Sequence, residues 1–415
     1  MKTFSTIGVG LISMLFSITS MQAAEPPAAA GPKAEWQNIT AEFVKATGLD
    51  KRKEEGKDNK GNPRLGAVYM TRFQGMLVLP NGDVTVLNND KGMWRSSDQG
   101  ATWTRYGEDW MKGVAQSSMS LKMYYPDRIG LTLDGPIAVS SDMGKSWVKV
   151  NKPKVFITNQ KDKPAFMGDI NITQGDMDLS DNMPPKTILG AVHHGDLAGG
   201  CFVQTSDGGR TWDWSPPVLK EAKGGLRIGV VNASTLLRGG VPPKGVPEPG
   251  IHVSTDLGQT WAKVADYTLH SACPVHYGSN IYWSAKEGIV VSRDGGKTWS
   301  VCGSPVANIV FGPYFGKSEQ EMMVVSFKDG YSITRNGGQS WTLVAPFFAA
   351  PDAWGEPENE RTCPPNLGRH WRGALWYFGW DSERNILYES LFGGDVWKLQ
   401  LGATPAAGSG KDGAK

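Results

Sequence analysis

One eight-residue turn is repeated along the chain, and this repeat restricts the fold more than any other feature. The turn combines a Ser or Thr, an Asp or Asn two positions later, a Gly two positions after that, and a final Trp. It occurs six times, as SSDQGATW at 96–103, SSDMGKSW at 140–147, TSDGGRTW at 205–212, STDLGQTW at 254–261, SRDGGKTW at 292–299 and TRNGGQSW at 334–341. Most copies follow one another at roughly 40 to 50 residues, the length of a four-stranded propeller blade.

Each residue type in the repeat suits a tight turn between two strands. The Asp or Asn accepts hydrogen bonds from the backbone of its own turn, and the Ser or Thr hydroxyl ties the far side of the turn. The Gly tolerates a positive φ, and the Trp buries its ring against the neighbouring sheet. One carboxylate per turn is too few for an EF-hand-type calcium loop. We therefore predict a structural role for the repeated aspartates, Asp98, Asp142, Asp207, Asp256 and Asp294.

Apolar segments between the repeats complete the blades. Two strands precede the strand that enters each repeat, so the order within a blade is strand A, strand B, strand C, repeat turn and strand D. After the sixth repeat, ALWYFGW, NILYESLF and DVWKLQL supply three further strands, and the N-terminal segment EWQNIT supplies a fourth. The predicted fold is all-β: a single β-propeller of four-stranded antiparallel blades, seven in number with six as the alternative. The N-terminal strand closes its ring and covers an otherwise exposed edge.

The N-terminus has the features of a secretory signal peptide. Lys2 precedes a short apolar stretch from Ile7 to Ile18, and small residues follow it. That stretch is too short for a stable membrane span, and no later segment has about 18 consecutive apolar residues. We expect an exported protein, secreted or periplasmic, with no membrane span in the mature chain. The predicted divisions are a signal peptide at 1–24, the propeller at 25–401 and a flexible tail at 402–415.

Composition narrows the classes of partner and cofactor. The formal net charge is +2 and no basic run with interleaved aromatics occurs, which argues against nucleic-acid binding. No P-loop, Rossmann glycine pattern, GxSxG elbow, HExxH helix or CxxC pair is present, so we expect no metal and no cofactor. Cys273 and Cys302 fall in one blade repeat, and both a disulfide and buried free thiols are open. We expect a monomer.

The six turns resemble the Asp-boxes of the bacterial neuraminidase repeat β-propellers, which belong to the sialidase-like superfamily. In sialidases, three arginines from different blades clamp a substrate carboxylate. Arg72, Arg227 and Arg372 are the corresponding candidates here, since each lies near the start of a strand A. The sialidase Arg-Ile/Leu-Pro motif has its nearest counterpart in PRLG at 63–66, where Gly66 replaces the Pro. Asp-boxes also occur in other glycosidases and in non-enzymatic propellers, so the resemblance leaves the activity open.

The order of the strands determines which loops share a face of the disc. The repeat turns lie together on one face, and the B–C loops and D–A connections lie on the other. Three long insertions fall on this second face, at 163–182, 238–250 and 349–373. The first residues of the strands A meet there at the mouth of the central channel. Long ordered loops and concave mouths commonly carry function, so this mouth is the predicted site.

The candidate residues at the mouth form a catalytic group and a ligand-binding group. Carboxylates and imidazoles can transfer protons, and the catalytic candidates are Asp169, His193, His194 and His370. Cations can hold carboxylates and aromatic rings can stack on sugars, and the binding candidates are Arg72, Arg227, His276, Tyr314, Arg369, Trp371 and Arg372. Asp176 and Asp178 follow Asp169, and a solvated turn-rich loop is the alternative interpretation of these carboxylates. A structural histidine is the alternative for His276.

Two functions from different classes are compatible with these features. The first is an exported carbohydrate-active propeller, a glycoside hydrolase or a lyase, that acts on an extracellular glycan, acidic glycans included. The second is a non-catalytic propeller that binds a glycan or a protein. A carboxylate pair or a histidine–carboxylate contact at the mouth would favour the first function.

Overall fold

Strands account for nearly all regular structure in the computed structural model of the chain. The structure describes residues 35–48, 73–88, 91–112, 121–132, 137–150, 154–157, 166–169, 172–179, 183–192, 201–213, 226–240, 250–348, 376–391 and 395–402. All of them belong to one compact unit, Glu35–Lys415. In this described part, no helix has the length and apolarity required to span a bilayer.

The first half of the chain builds a short N-terminal segment and three blades. The N-terminal segment contains β1 (Gln37–Asn38) and helix α1 (Thr40–Thr47). Blade one contains β2 (Phe73–Val78), β3 (Val84–Asn88), β4 (Gly92–Ser96) and β5 (Thr104–Arg105), and a 3₁₀ turn (Asp109–Met111) follows. Blade two contains β6 (Leu121–Tyr124), β7 (Arg128–Thr132), β8 (Ile137–Ser140) and β9 (Val148–Val150). A separate hairpin of β10 (Lys154–Ile157) and β11 (Phe166–Asp169) precedes blade three, which contains β12 (Ile172–Met177), β13 (Ile188–Val192) and β14 (Cys201–Thr205).

The second half of the chain builds four further blades. Blade four contains β15 (Leu226–Val230), β16 (Leu236–Gly240), β17 (Ile251–Ser254) and β18 (Ala262–Ala265). Blade five contains β19 (Val275–Tyr277), β20 (Asn280–Ala285), β21 (Gly288–Ser292) and β22 (Ser300–Val301). Blade six contains β23 (Phe311–Phe315), β24 (Met322–Ser326), β25 (Gly330–Thr334) and β26 (Thr342–Ala345). Blade seven contains β27 (Trp376–Asp381), β28 (Ile386–Leu391) and β29 (Val396–Gln400).

These sheets form the predicted all-β propeller of seven antiparallel blades, each in the order A, B, C, D. In blade three the fourth strand is reduced, among the described residues, to a bridge between Gln204 and Asp213. Strands β3, β21 and β24 are buried at every residue, since neighbouring blades cover both of their faces. The hydrophobic core is therefore a series of layers between blades.

The N-terminal segment closes the ring, as predicted. In blade seven, β1 pairs with β29, with Gln37 opposite Lys398 and Asn38 opposite Trp397. Helix α1 then crosses to blade one, where the fully buried ring of Phe43 contacts Phe73. This segment supplies the fourth strand of blade seven and connects the last blade to the first.

Each Asp-box turn is held by its own side chains, and the second turn shows the pattern. The hydroxyl of Ser140 donates to Asp142 Oδ1 at 2.7 Å and accepts from the backbone N–H of Gly144 at 2.7 Å. The backbone N–H and hydroxyl of Ser146 donate to the two Asp142 oxygens at 2.9 and 2.6 Å. Gly144 has a φ of 89°, and its carbonyl accepts from the indole N–H of Trp147 at 2.9 Å. The carboxylate is therefore fully engaged in the turn, which confirms its structural role.

The bonds to the Asp side chain recur in the other turns, including the one with Asn in place of Asp, whereas the indole bond to the Gly carbonyl recurs in the third, fourth and fifth turns. Asn336 Oδ1 accepts from Ser340 N at 3.0 Å and from the hydroxyl of Thr334 at 2.8 Å, while its amide N–H donates to the Ser340 hydroxyl at 2.9 Å. An Asn can thus make the same set of contacts without charge.

The A–B turns lie on the same face of the disc as the Asp-boxes. Backbone N–H groups of the boxes donate to carbonyls of the A–B turns in four blades: Met143 to Asp127, Gly208 to Lys186, Leu257 to Ser234, and Gly337 to Gln320. Since each strand A runs towards its A–B turn, the first residues of the strands A lie on the opposite face. The predicted sidedness of the disc is therefore correct.

The Asp-box geometry predicts different effects for two substitutions at one position. Asp142→Ala removes the acceptors of three hydrogen bonds and should lower the free energy of unfolding by about 1–2 kcal/mol. Asp142→Asn should cost clearly less, because Asn336 holds the sixth turn with equivalent contacts. Urea denaturation of the two variants beside the parent protein measures both changes. Equal losses for Ala and Asn would contradict the assignment of these bonds.

Candidate functional site

A cavity of about 500 Å³ occupies the central channel, and all seven blades contribute to its wall. Blades six and seven supply an aromatic side, formed by Phe311, Tyr314, Trp376 and Phe378. Trp376 and Phe378 are largely covered by the core, whereas Phe311 and Tyr314 are only partly buried and offer more of their surface. A volume of this size lies within the range of small-molecule sites, which are mostly apolar with a few polar groups.

The opposite side of the cavity is positively charged. Lys122 comes from strand β6 of blade two and Arg227 from β15 of blade four, and Cys273 lines the wall with them. Burial raises the pKa of Cys273 to about 11, and the positive charges of Lys122 and Arg227 oppose that rise. Both cations are therefore within electrostatic reach of the same sulfur atom. Cys273 and Cys302 are free thiols, which decides between the two alternatives left open by the sequence.

Arg227 is held in the wall with part of its hydrogen-bonding capacity unused. Its Nε is buried and has no hydrogen-bond partner among the described residues. Burial lowers the pKa of Arg227, although a guanidinium remains charged at neutral pH. An unpaired buried N–H of a cation is costly, and with almost no accessible surface this Nε gains a partner only if Arg227 or its neighbours move.

Behind the charged side, a single carboxylate connects four blades. Asp176 on β12 is fully buried, and its Oδ1 accepts from Lys122 Nζ at 2.6 Å and from the Tyr124 hydroxyl at 2.9 Å. Its Oδ2 accepts from His276 Nε2 and from the backbone N–H of Val230, both at 2.8 Å. These partners lie on β6, β19 and β15, so the bonds join blades two, three, four and five. We call these five residues the Asp176 network.

The groups around Asp176 determine the protonation states of Asp176 and Tyr124. Burial alone would raise the pKa of Asp176, but the charges of His276 and Lys122 and their hydrogen bonds overcome burial and hold the pKa well below its usual range. Burial and the neighbouring carboxylate raise the pKa of Tyr124 well above its ordinary value. The pair is therefore an ionised carboxylate beside a neutral phenol, and neither group is poised to exchange protons near neutral pH.

The structure corrects the interpretation of Asp176 and Asp178 as a solvated loop. Both side chains are fully buried, and Asp178 accepts from the backbone N–H of Thr187 at 2.9 Å. Asp176 belongs to strand A of blade three, which lies inside the segment 163–182 that the sequence presented as an insertion. No group of three or more potential metal ligands occurs among the residues that the structure describes.

The described candidates occupy different places relative to the cavity. Arg227 and Tyr314 line it, and their role in ligand binding stays a prediction. His276 does not line the cavity: it is 3% exposed and contributes its Nε2 to the Asp176 network. Asp169 ends β11, but its side chain is outside the described residues. The remaining candidates also lie outside them, namely Arg72, His193, His194, Arg369, His370, Trp371 and Arg372.

Sequence reasoning did not nominate three polar residues of the wall, Lys122, Cys273 and His270. Lys122 interrupts the apolar strand LKMY, and such a break in an inner strand is the signal that could have identified it. Cys273 was considered only as a disulfide partner or a buried free thiol. His270 lines the cavity and donates its Nδ1–H to the carbonyl of Ile309 at 2.7 Å, so Nε2 is the ring nitrogen that this bond leaves unused.

Comparison with known proteins identifies the repeat and the architecture. The BNR/Asp-box repeat family matches residues 290–301, which contain the fifth turn. No curated protein matches the sequence significantly.

Among solved structures, a GH74 enzyme of Niastella koreensis has 17% identity and a TM-score of 0.38, covering 77% of this chain and 41% of its own. A GH74 xyloglucanase of Xanthomonas campestris has 16% identity and a TM-score of 0.28, covering 79% of this chain and 57% of its own. YCF48 of Cyanidioschyzon merolae has 10% identity and a TM-score of 0.34, with 80% and 96% coverage. The chain thus spans less than two thirds of either GH74 enzyme, and similarities this weak carry no information about ligand or reaction.

The Asp176 network predicts a large and pH-dependent loss of stability in Asp176→Asn. The substitution leaves the Lys122 ammonium without its buried counter-charge and weakens the acceptor for His276, and we expect the free energy of unfolding to fall by about 3–5 kcal/mol. The pKa of Asp176 is lower in the folded state than in the unfolded state. The contribution of its carboxylate to folding stability is therefore complete above the unfolded-state pKa of about 4, and it is lost as the pH falls below that value. The difference between parent and variant should therefore shrink in acid.

Urea denaturation between neutral and strongly acidic pH measures this difference. Asp266→Asn is the matched control, since Asp266 forms an exposed ion pair with Lys263 and should contribute little. A loss in Asp176→Asn no larger than that of the control would contradict the network.

Proposed function

We propose that this chain, a seven-bladed Asp-box β-propeller, is an exported carbohydrate-binding protein that holds an acidic saccharide in its central channel. One observation carries the proposal: a cavity with aromatic rings on one side is lined by two cationic residues, Lys122 and Arg227, on the other. The proposed export rests on the signal-peptide features at 1–24.

The two sides of the cavity suit the two parts of an acidic sugar. A pyranose ring presents an apolar C–H face, which favours contact with the partly exposed rings of Phe311 and Tyr314. A carboxylate on the same ring would accept charge-assisted hydrogen bonds from Arg227 and from the Lys122 ammonium. Since Lys122 is already bonded to Asp176, the network fixes where its remaining N–H groups point.

The charge balance of the site favours an anion over a cation. The cavity is lined by Lys122 and Arg227, and the described lining residues include no Asp or Glu. Asp176 compensates one positive charge from behind the wall, and both of its oxygens are occupied. An anionic group would therefore meet a net positive surface without displacing an existing partner.

The described residues support binding more than catalysis. A glycoside hydrolase needs two carboxylates, and a carboxylate general acid needs a raised pKa. Asp176 is ionised and fully engaged, so it meets neither requirement. Hydrolysis or elimination would depend on Asp169, His193, His194 or His370. The competing enzymatic hypothesis predicts product release from an acidic polysaccharide and its loss in Asp169→Asn.

The proposal predicts a selective loss of affinity in Arg227→Met. Methionine keeps an unbranched apolar stem but removes the guanidinium, and the loss of a charge-assisted bond of about 1.5–3 kcal/mol should weaken binding of an acidic oligosaccharide by roughly 10- to 150-fold. Isothermal titration with oligogalacturonates and with neutral oligosaccharides of equal length measures the effect. Affinity for the neutral series should not change.

Arg238→Met is the matched control, because Arg238 lies on the adjacent strand of the same blade, with its guanidinium over Trp261 and outside the cavity lining. If Arg227→Met weakens neutral and acidic ligands alike, or if no acidic saccharide binds the parent protein, the proposal fails.

A further inference from the structure

Two blades that are not neighbours in the ring are joined by backbone hydrogen bonds across the channel. The N–H of Tyr125, directly after β6 in blade two, donates to the carbonyl of His276 in blade five at 3.0 Å. The carbonyl of Tyr125 accepts from the N–H of Gly278 at 2.9 Å. These bonds form an isolated parallel bridge between Tyr125 and Tyr277. Two blades lie between them on one side of the ring and three on the other, so the bridge crosses the channel.

The bridge lies towards the Asp-box face of the disc. Tyr125 follows the last residue of its strand A, and Tyr277 is the last residue of β19. Both positions lead directly into A–B turns, and the A–B turns are bonded to the Asp-boxes. The first residues of the strands A, including Arg227 near the start of β15, lie towards the opposite face.

Aromatic rings fill the space around the bridge. The rings of Tyr125 and Tyr277 are stacked with centroids 6.1 Å apart and planes 7° apart. Phe315 of blade six meets both rings edge-on, at 5.0 and 4.9 Å. Phe315 is 1% exposed, and Tyr125, which is 7% exposed, also lines the cavity. Backbone and rings together form a floor under the cavity.

We propose that the cavity is a one-ended pocket that recognises the terminus of a saccharide chain and not its interior. This inference rests on the proposed function. A ligand that reaches Arg227 and Tyr314 must approach from the face opposite the Asp-boxes, because Tyr125, Tyr277 and Phe315 close the other end. A sugar inside a long chain has two continuations and would need two exits, whereas a terminal sugar has one. Tyr125 and Tyr277 are thus the residues that determine specificity for chain ends.

The number of protein molecules bound per chain distinguishes end recognition from interior recognition. We expect one protein per chain along a series of oligogalacturonates of increasing length, measured by titration calorimetry and by sedimentation velocity. Interior recognition predicts that this number grows with chain length. Chemical blocking of the recognised end should abolish binding at every length, while blocking of the other end should leave binding unchanged.

The outcomes separate this inference from the proposed function. More than one protein on long chains, with binding still lost in Arg227→Met, would overturn end recognition and leave the channel as the saccharide site. No binding of any acidic oligosaccharide would overturn both. One protein per chain at all lengths, lost in Arg227→Met and retained in Arg238→Met, would support both.

Discussion

The carboxylate of Asp176 is the interaction on which the centre of the molecule depends. Four donors from blades two, four and five converge on its two oxygens, and it belongs to blade three itself. Strand β6 also supplies Lys122 to the cavity and strand β15 supplies Arg227, while Cys273 lies two residues before strand β19. The positions of the charged groups in the wall therefore depend on the hydrogen bonds that this one carboxylate accepts. The apolar layers between blades give stability but have no comparable directionality.

The Asp-boxes and the Asp176 network use the same residue type in opposite environments. In the boxes, hydrogen bonds from the turn act on a carboxylate at the surface, and the backbone and hydroxyl groups of Thr211 lower the pKa of Asp207 to about 2. In the channel, full burial works against ionisation, and the interactions with His276 and Lys122 make the charged form favourable. The first arrangement is local and can be repeated along the chain. The second requires the ring to be assembled.

This difference explains what could be predicted from the sequence. The turns, the strand order, the blade number and the ring closure follow from segments of a few residues, and all were predicted. Arg227 and Tyr314 line the cavity, and Arg227 was nominated from its place near the start of an inner strand. Asp176 was misinterpreted because its partners Tyr124 and His276 are 52 and 100 residues away, and QGDMD has the composition of a turn. The bridge between Tyr125 and Tyr277 has no local signal at all.

The pairing of β1 with β29 has a consequence for how the chain folds during synthesis. The residues joined there are separated by almost the entire propeller: Asn38 donates a hydrogen bond to Asp395, which lies 357 positions further along the chain. During synthesis, which proceeds from the N-terminus, the first strand must stay unpaired until the last blade exists. Loop-closure entropy makes such a distant contact slow to form. An interrupted or truncated chain would therefore retain an open circle with two uncovered strand edges, the form most exposed to aggregation and proteolysis.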